Sequence, residues 1–124
     1  MNIKFLLLTI PFFVMSQSAE RISVHMLDLP ESLSIQEFKQ DIDLLNAIYE
    51  ENGFGADRYK IYAVKESDQV KKYRYLWMST WKSDVEYENA HNEAIRTLFS
   101  NYFAPKYQSV LDTEIYRKLF LVKE

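Results

Sequence analysis

Cysteine is absent from the 124 residues, and that absence removes several function classes at once. There can be no disulfide, thiolate metal site, cysteine nucleophile or cysteine-borne lipid anchor, so stability has to come from packing. Glycine is nearly as scarce at two residues, and proline stands at three, which leaves little chain for flexible linkers and none for a Gly-rich phosphate loop. Two histidines with no cysteine could hold a metal only with carboxylate help, so neither a metal nor another cofactor is expected. Positive charge is also short: 15 basic residues stand against 18 acidic ones, a balance that invites no nucleic acid. What the chain has in quantity is aromatic side chain, 15% of residues with nine Tyr among them, and whatever it buries, aromatics dominate.

No apolar run reaches the 18 or so residues of a membrane span. The longest, Phe5 to Met15, follows Lys4, contains Pro11 and is succeeded by the small residues Ser16 and Ser18. That pattern is the n-region, apolar core and cleavage site of a secretory signal peptide. Residues 1–19 are therefore expected to be a signal peptide and 20–124 one mature domain, periplasmic or secreted and without a stable membrane anchor once cut. Losing Lys4 leaves 14 basic against 18 acidic residues.

Along the mature chain the pattern alternates between strand and helix. Arg21 to Leu29 is β-branched and apolar and stops at Pro30, which cannot continue a paired strand. Ser34 then opens a helix with Glu37 three residues on as a capping box, an apolar stripe of Ile35, Phe38, Ile42, Leu45 and Tyr49, and Asn52-Gly53 as the stop. Tyr59 to Glu66 and Tyr73 to Trp81 read as a hairpin around the polar Ser67 to Lys71. Ser83 and Glu86 form another capping box, and the stripe Tyr87, Ala90, His91, Ala94, Ile95, Leu98 predicts one helix to about Tyr102, broken at Pro105. A short helix from Pro105 to Leu111 and a last strand from Thr113 to Lys123 close the domain.

The order β-α-β-β-α-β, with right-handed crossovers, predicts an α+β, ferredoxin-like fold: a four-stranded antiparallel sheet with two helices on one face. Both faces of its strands are apolar, yet the chain has no third layer for the second face. A partner copy is the simplest cover, so a homodimer is expected.

This order resembles the dimeric α/β-barrel superfamily, which includes antibiotic-biosynthesis-type monooxygenases, haem-degrading monooxygenases and small stress-responsive barrels. The resemblance covers the whole mature chain and is carried by the aromatic third strand ending in Trp81-Lys82-Ser83 and by Tyr87, Ala90 and His91 after it. It implies sheet-to-sheet dimers with a pocket inside each subunit, between sheet and helices. It does not imply haem, because the stretch Phe99 to Tyr102, where a haem-ligating histidine would fall, has none.

His91, on the stripe that faces the sheet, is the candidate catalytic residue, as acid or base, against the plainer reading of a structural histidine. Trp77, Trp81, Tyr75 and Tyr87, with Tyr73, are candidates for stacking a largely apolar ligand, although such a ladder is more often core or interface. His25, alternating with Ser23 and Leu27, is assigned to the dimer cavity beside Tyr62, Tyr75 and Arg117. The expected function is binding of a small, largely apolar molecule in the pocket, with a cofactor-independent monooxygenase or isomerase as the activity in view. The alternative is a non-enzymatic stress-responsive or interaction module whose aromatic sheet face only forms the dimer.

Overall fold

A computed structural model describes residues 19–65 and 73–123. Residues 1–18, nearly all of the expected signal peptide, and residues 66–72, where the polar turn is expected, lie outside the described residues. The elements run β1 (Arg21–Leu27), α1 (Ile35–Glu51), β2 (Tyr59–Ala63), β3 (Tyr75–Trp81), α2 (Asp84–Ala90), α3 (Glu93–Leu98), a π-helical turn (Phe99–Phe103), α4 (Ala104–Lys106), α5 (Gln108–Thr113) and β4 (Ile115–Phe120). The strands form one sheet in the order β2-β3-β1-β4, and each neighbouring pair is antiparallel. The ferredoxin-like α+β architecture is therefore present.

Local chemistry sets the element ends. Ser34 Oγ accepts the Glu37 amide at 3.1 Å and Ser83 Oγ accepts the Glu86 amide at 3.1 Å, so both capping residues satisfy N–H groups that the helix itself cannot. At the far end of α1, Gly53 takes φ 85°, and the Phe54 amide reaches back to the Tyr49 carbonyl at 2.9 Å. Only a residue without Cβ adopts that turn freely.

The long second helix predicted from the sequence is instead broken. α2 ends at Ala90, His91 leaves helical geometry at φ −84°, ψ 57°, and Asn92 starts α3 by accepting the Ile95 amide at 3.2 Å. Asn is a poor helix interior residue and a good cap, because its side chain competes for the backbone, and here it wins. Pro105 does not break the chain path either. The π-helical turn before it places Pro105 in the first turn of α4, where its missing N–H costs no internal hydrogen bond.

Register assigns the two faces. Arg21 faces Trp81, Ser23 faces Ser79, His25 faces both Trp77 and Tyr116, and Tyr59 faces Ser79, so these side chains share one side of the sheet. That side is the helix side: Leu27, Tyr59, Trp77 and Trp81 belong to one core with Phe38, Ile42, Leu45 and Tyr49 of α1 and with Ala90, Ile95, Phe103, Tyr107 and Val110. The opposite side carries Ile22, Val24, Met26, Leu76, Met78, Tyr62, Ile115 and Leu119, and no element of the described chain covers it. Tyr62 and Leu119 stand 48% and 46% exposed there.

His25 consequently lies on the helix side, not on the open face to which the sequence reading assigned it. Tyr62 and Arg117, expected beside it, are on the far side of the sheet. Alternation sorts a strand into two sets of side chains, but the position of the helices decides which set is inside.

One ionic cluster pins the helical layer. Asp41 on α1, almost fully buried, accepts hydrogen bonds from Tyr102 at 2.9 Å and from Tyr107, and pairs with Lys106 at 2.8 Å. Burial pushes its carboxyl up, but Lys106, Tyr107 and Tyr102 outweigh burial and hold it below the ordinary range. No helix among the described residues is long and apolar enough to cross a membrane.

Candidate functional site

Between the helix side of the sheet and α1–α3 lies a cavity of about 390 Å³. Its walls come from β1 (His25), α1 (Leu45, Tyr49), β2 and β3 (Tyr59, Trp77), α2 with its end (Tyr87, His91), the following helical stretch (Ile95, Arg96, Phe99, Ser100) and β4 (Tyr116, Lys118). The volume and the mixed lining, aromatic with a few polar tips, suit one small organic molecule.

His91 sits where the break between α2 and α3 turns its ring inward. Its Nδ1–H donates to the Tyr87 carbonyl at 2.6 Å, which leaves the lone pair on Nε2. Nε2 in turn faces the hydroxyls of Tyr49 and Tyr59, each at 3.2 Å. Burial lowers the imidazole pKa, partly offset by the Tyr87 carbonyl, so the ring is held neutral. Burial raises the Tyr49 phenol and pushes Tyr59 up to about 12, which keeps both protonated, and the one lone pair on Nε2 takes one of the two protons at a time. The result is a three-member hydrogen-bonded unit, two phenols converging on one neutral imidazole.

His25 is organised differently. Its ring is sandwiched between Trp77 and Tyr116, with centroids 4.2 and 4.5 Å away, and its Nδ1 lies 2.8 Å from Glu114 Oε2. A carboxylate on Nδ1 fixes the tautomer with the lone pair on Nε2, which bonds to no other described residue. This is the imidazole–carboxylate arrangement that makes a positioned general base. Beside it, the Tyr116 hydroxyl is 3.3 Å from the buried Arg21 guanidinium and 3.4 Å from Ser23 Oγ. Burial raises the Tyr116 phenol, but the hydrogen bonds from Ser23, Arg21 and Tyr87 outweigh it and the net shift is downward.

Arg21 is placed by two further contacts, an ion pair with Asp84 at the start of α2 and a stack over the Tyr87 ring at 3.3 Å. The inner face is thus polar at its centre and buried there.

Of the residues singled out in the sequence, Trp77, Tyr87, His25 and His91 line this cavity. Trp81 does not. It is 1% exposed, its Nε1 donates to Ser79 Oγ at 2.7 Å, and it is a core residue. Tyr75 lines a separate groove between α1 and β2. Tyr49, Tyr59, Glu114 and Tyr116 were missed. Tyr49 was visible only as one member of an apolar stripe, and Glu114 is 89 residues from the histidine it serves. Glu88 does stand three residues before His91, a spacing met in metal sites, but both ring nitrogens of His91 are engaged. No group of three metal-ligating side chains is gathered among the described residues.

No family model and no curated protein matches the sequence. Solved structures do. A hydroxynitrile lyase from Passiflora edulis superposes with a TM-score of 0.60 at 12% identity, over 86% of this chain and 97% of the lyase. A dabb family protein with a ferredoxin-like fold from Mesorhizobium loti gives a TM-score of 0.53 at 10% identity, over 86% and 98%. A dimeric ferredoxin-like protein of unknown function from Thermobifida fusca gives 0.52 at 8% identity, over 85% and 93%. The fold is the ferredoxin-like one that these structures share. At these identities the likeness carries the architecture, and the chemistry has to be read from the cavity.

Proposed function

We propose that this ferredoxin-like protein is a homodimer of the dimeric α/β-barrel type, is exported, binds a small, largely apolar molecule in the 390 Å³ cavity and acts on it by cofactor-independent acid–base chemistry. One observation carries the reading: the Glu114-backed His25 lines the same cavity as the Tyr49–His91–Tyr59 unit. A base with its lone pair on Nε2 and phenols that stay protonated are the two halves of a proton transfer. His25 takes a proton from the bound molecule, Glu114 steadies the imidazolium that forms, and Tyr49 or Tyr59 donates to the oxygen on which charge develops. Leu45, Trp77, Ile95 and Phe99 hold the apolar body and keep out water.

An isomerase and a cofactor-independent monooxygenase both begin with such a step, and a hydroxynitrile lyase among the proteins of this fold supports a small-molecule reaction in this architecture. The test is a screen of small aromatic and carbonyl compounds by thermal shift, followed by deuterium exchange at acidic C–H positions of those that bind. Wild-type protein is expected to catalyse exchange, and His25→Gln to bind normally while losing it about a hundredfold or more. Exchange unaffected by that substitution would end the acid–base reading.

Two further parts of the proposal rest on other observations. The apolar run before Ser16 supports export, and mass spectrometry of protein recovered outside the cytoplasm should find a start between Gln17 and Glu20. The uncovered apolar sheet face supports the homodimer.

A further inference from the structure

We infer that the molecule taken by this cavity is an amphiphilic organic anion, an apolar ring system carrying a carboxylate or comparable acidic group. The inference rests on the ligand-binding reading above. Among the cavity's lining residues there is no Asp or Glu, while Arg96 and Lys118 enter it from α3 and β4. In a chain with more acidic than basic residues, that local excess of one sign is a property of the site and not of the average composition.

Five of the other described cations are paired with carboxylates, while Lys60, Lys65, Lys82 and Arg117 are not, so what sets Arg96 and Lys118 apart is that they share one cavity. Arg21 pairs with Asp84, Lys39 with Asp43, Arg58 with Glu86, Arg74 with Asp28, and Lys106 with Glu37 and Asp41. Arg96 and Lys118 make no side-chain ion pair or hydrogen bond among the described residues. Both are exposed, so they stand where the cavity meets solvent, whereas the aromatic and aliphatic wall of Leu45, Trp77, Ile95 and Phe99 lies deeper. His91 does not compete for the anion, because it is neutral and fully hydrogen-bonded. A ligand with an apolar body and an acidic end would seat the body against the wall and its charge between two heads that have no other partner. Arg supplies a fork of donors for that end, and Lys a point charge.

Two probes with one ring system separate charge from shape: 1-naphthoate and its neutral isostere 1-naphthamide, titrated by calorimetry and by quenching of tryptophan fluorescence. Naphthoate is expected to bind about tenfold or more tighter at low ionic strength, with the margin shrinking as salt rises. In Arg96→Gln/Lys118→Gln, whose changes lie at exposed positions and whose melting curve should match the wild type, naphthoate falls to the level of naphthamide. Naphthamide binding as tightly as naphthoate, or a naphthoate margin that survives the double substitution, would overturn this inference and leave the cavity reading intact. If neither probe binds the wild type, both readings fail together.

Discussion

The two faces of the sheet are made from the same four strands and both carry apolar side chains, yet they are built to opposite ends. The inner face carries Arg21, Ser23, His25, Trp77, Ser79, Trp81 and Tyr116, and most of its polar groups pair with one another or with neighbouring elements, Trp77 Nε1 and Arg21 Nε being exceptions. The outer face carries Ile22, Val24, Met26, Leu76 and Met78, side chains that offer area and no direction, with Thr80, Lys60, Tyr62 and Arg117 set around them. Directional groups define a single arrangement, which a reaction site needs. Plain aliphatic area tolerates sliding and re-packing, and suits the surface proposed to form the dimer.

Four experiments sharpen or break that contrast. The largest effect is expected at the inner face: Trp81→Ala empties a fully buried site and should cost about 3–5 kcal/mol in urea denaturation. A loss under 1 kcal/mol would mean that the inner core is not the structural centre. Next comes the outer face. Met78→Asp should weaken self-association about a hundredfold in sedimentation equilibrium, because a charge would be buried between subunits, while naphthoate binding in the cavity persists. A monomeric wild type at high concentration would remove the dimer altogether.

A smaller effect belongs to the helical layer. Asp41→Asn should cost about 1–3 kcal/mol at neutral pH, since Lys106 and two phenols lose a charged acceptor. Because the folded state holds this carboxyl below its unfolded value of about 3.8, its stabilisation is present above that pH and is lost as pH falls through the folded value. The variant should therefore have a flatter acid limb, and identical limbs would contradict the assignment. The smallest effect is at His91, whose folded pKa lies below the ordinary 6.5. As pH drops below that value the unfolded chain takes the proton first, so stability falls, by at most about 1.4 kcal/mol per pH unit, until the folded value is passed. His91→Gln should remove that slope, and an unchanged slope would place the titration elsewhere.

How much of this was legible in the sequence varies by element. Ser34, Gly53 and Ser83 announced their helix ends because capping is decided within three or four residues. The break at His91-Asn92 escaped because the apolar stripe runs straight through it, and a periodic pattern does not register a cap inside its own span. Trp81 and Trp77 looked alike as members of one aromatic strand, and only packing showed that both are core residues and that Trp77 alone of the two also lines the cavity.

Element order and the antiparallel sheet with apolar residues on both its faces were determined by the sequence alone, since strand alternation, helix stripes and caps are local properties of the chain. Which side His25 faces, its pairing with Glu114, and the convergence of Tyr49 and Tyr59 on His91 were decided only in three dimensions. Register and helix placement bring together groups far apart in the chain, and no local pattern encodes that meeting.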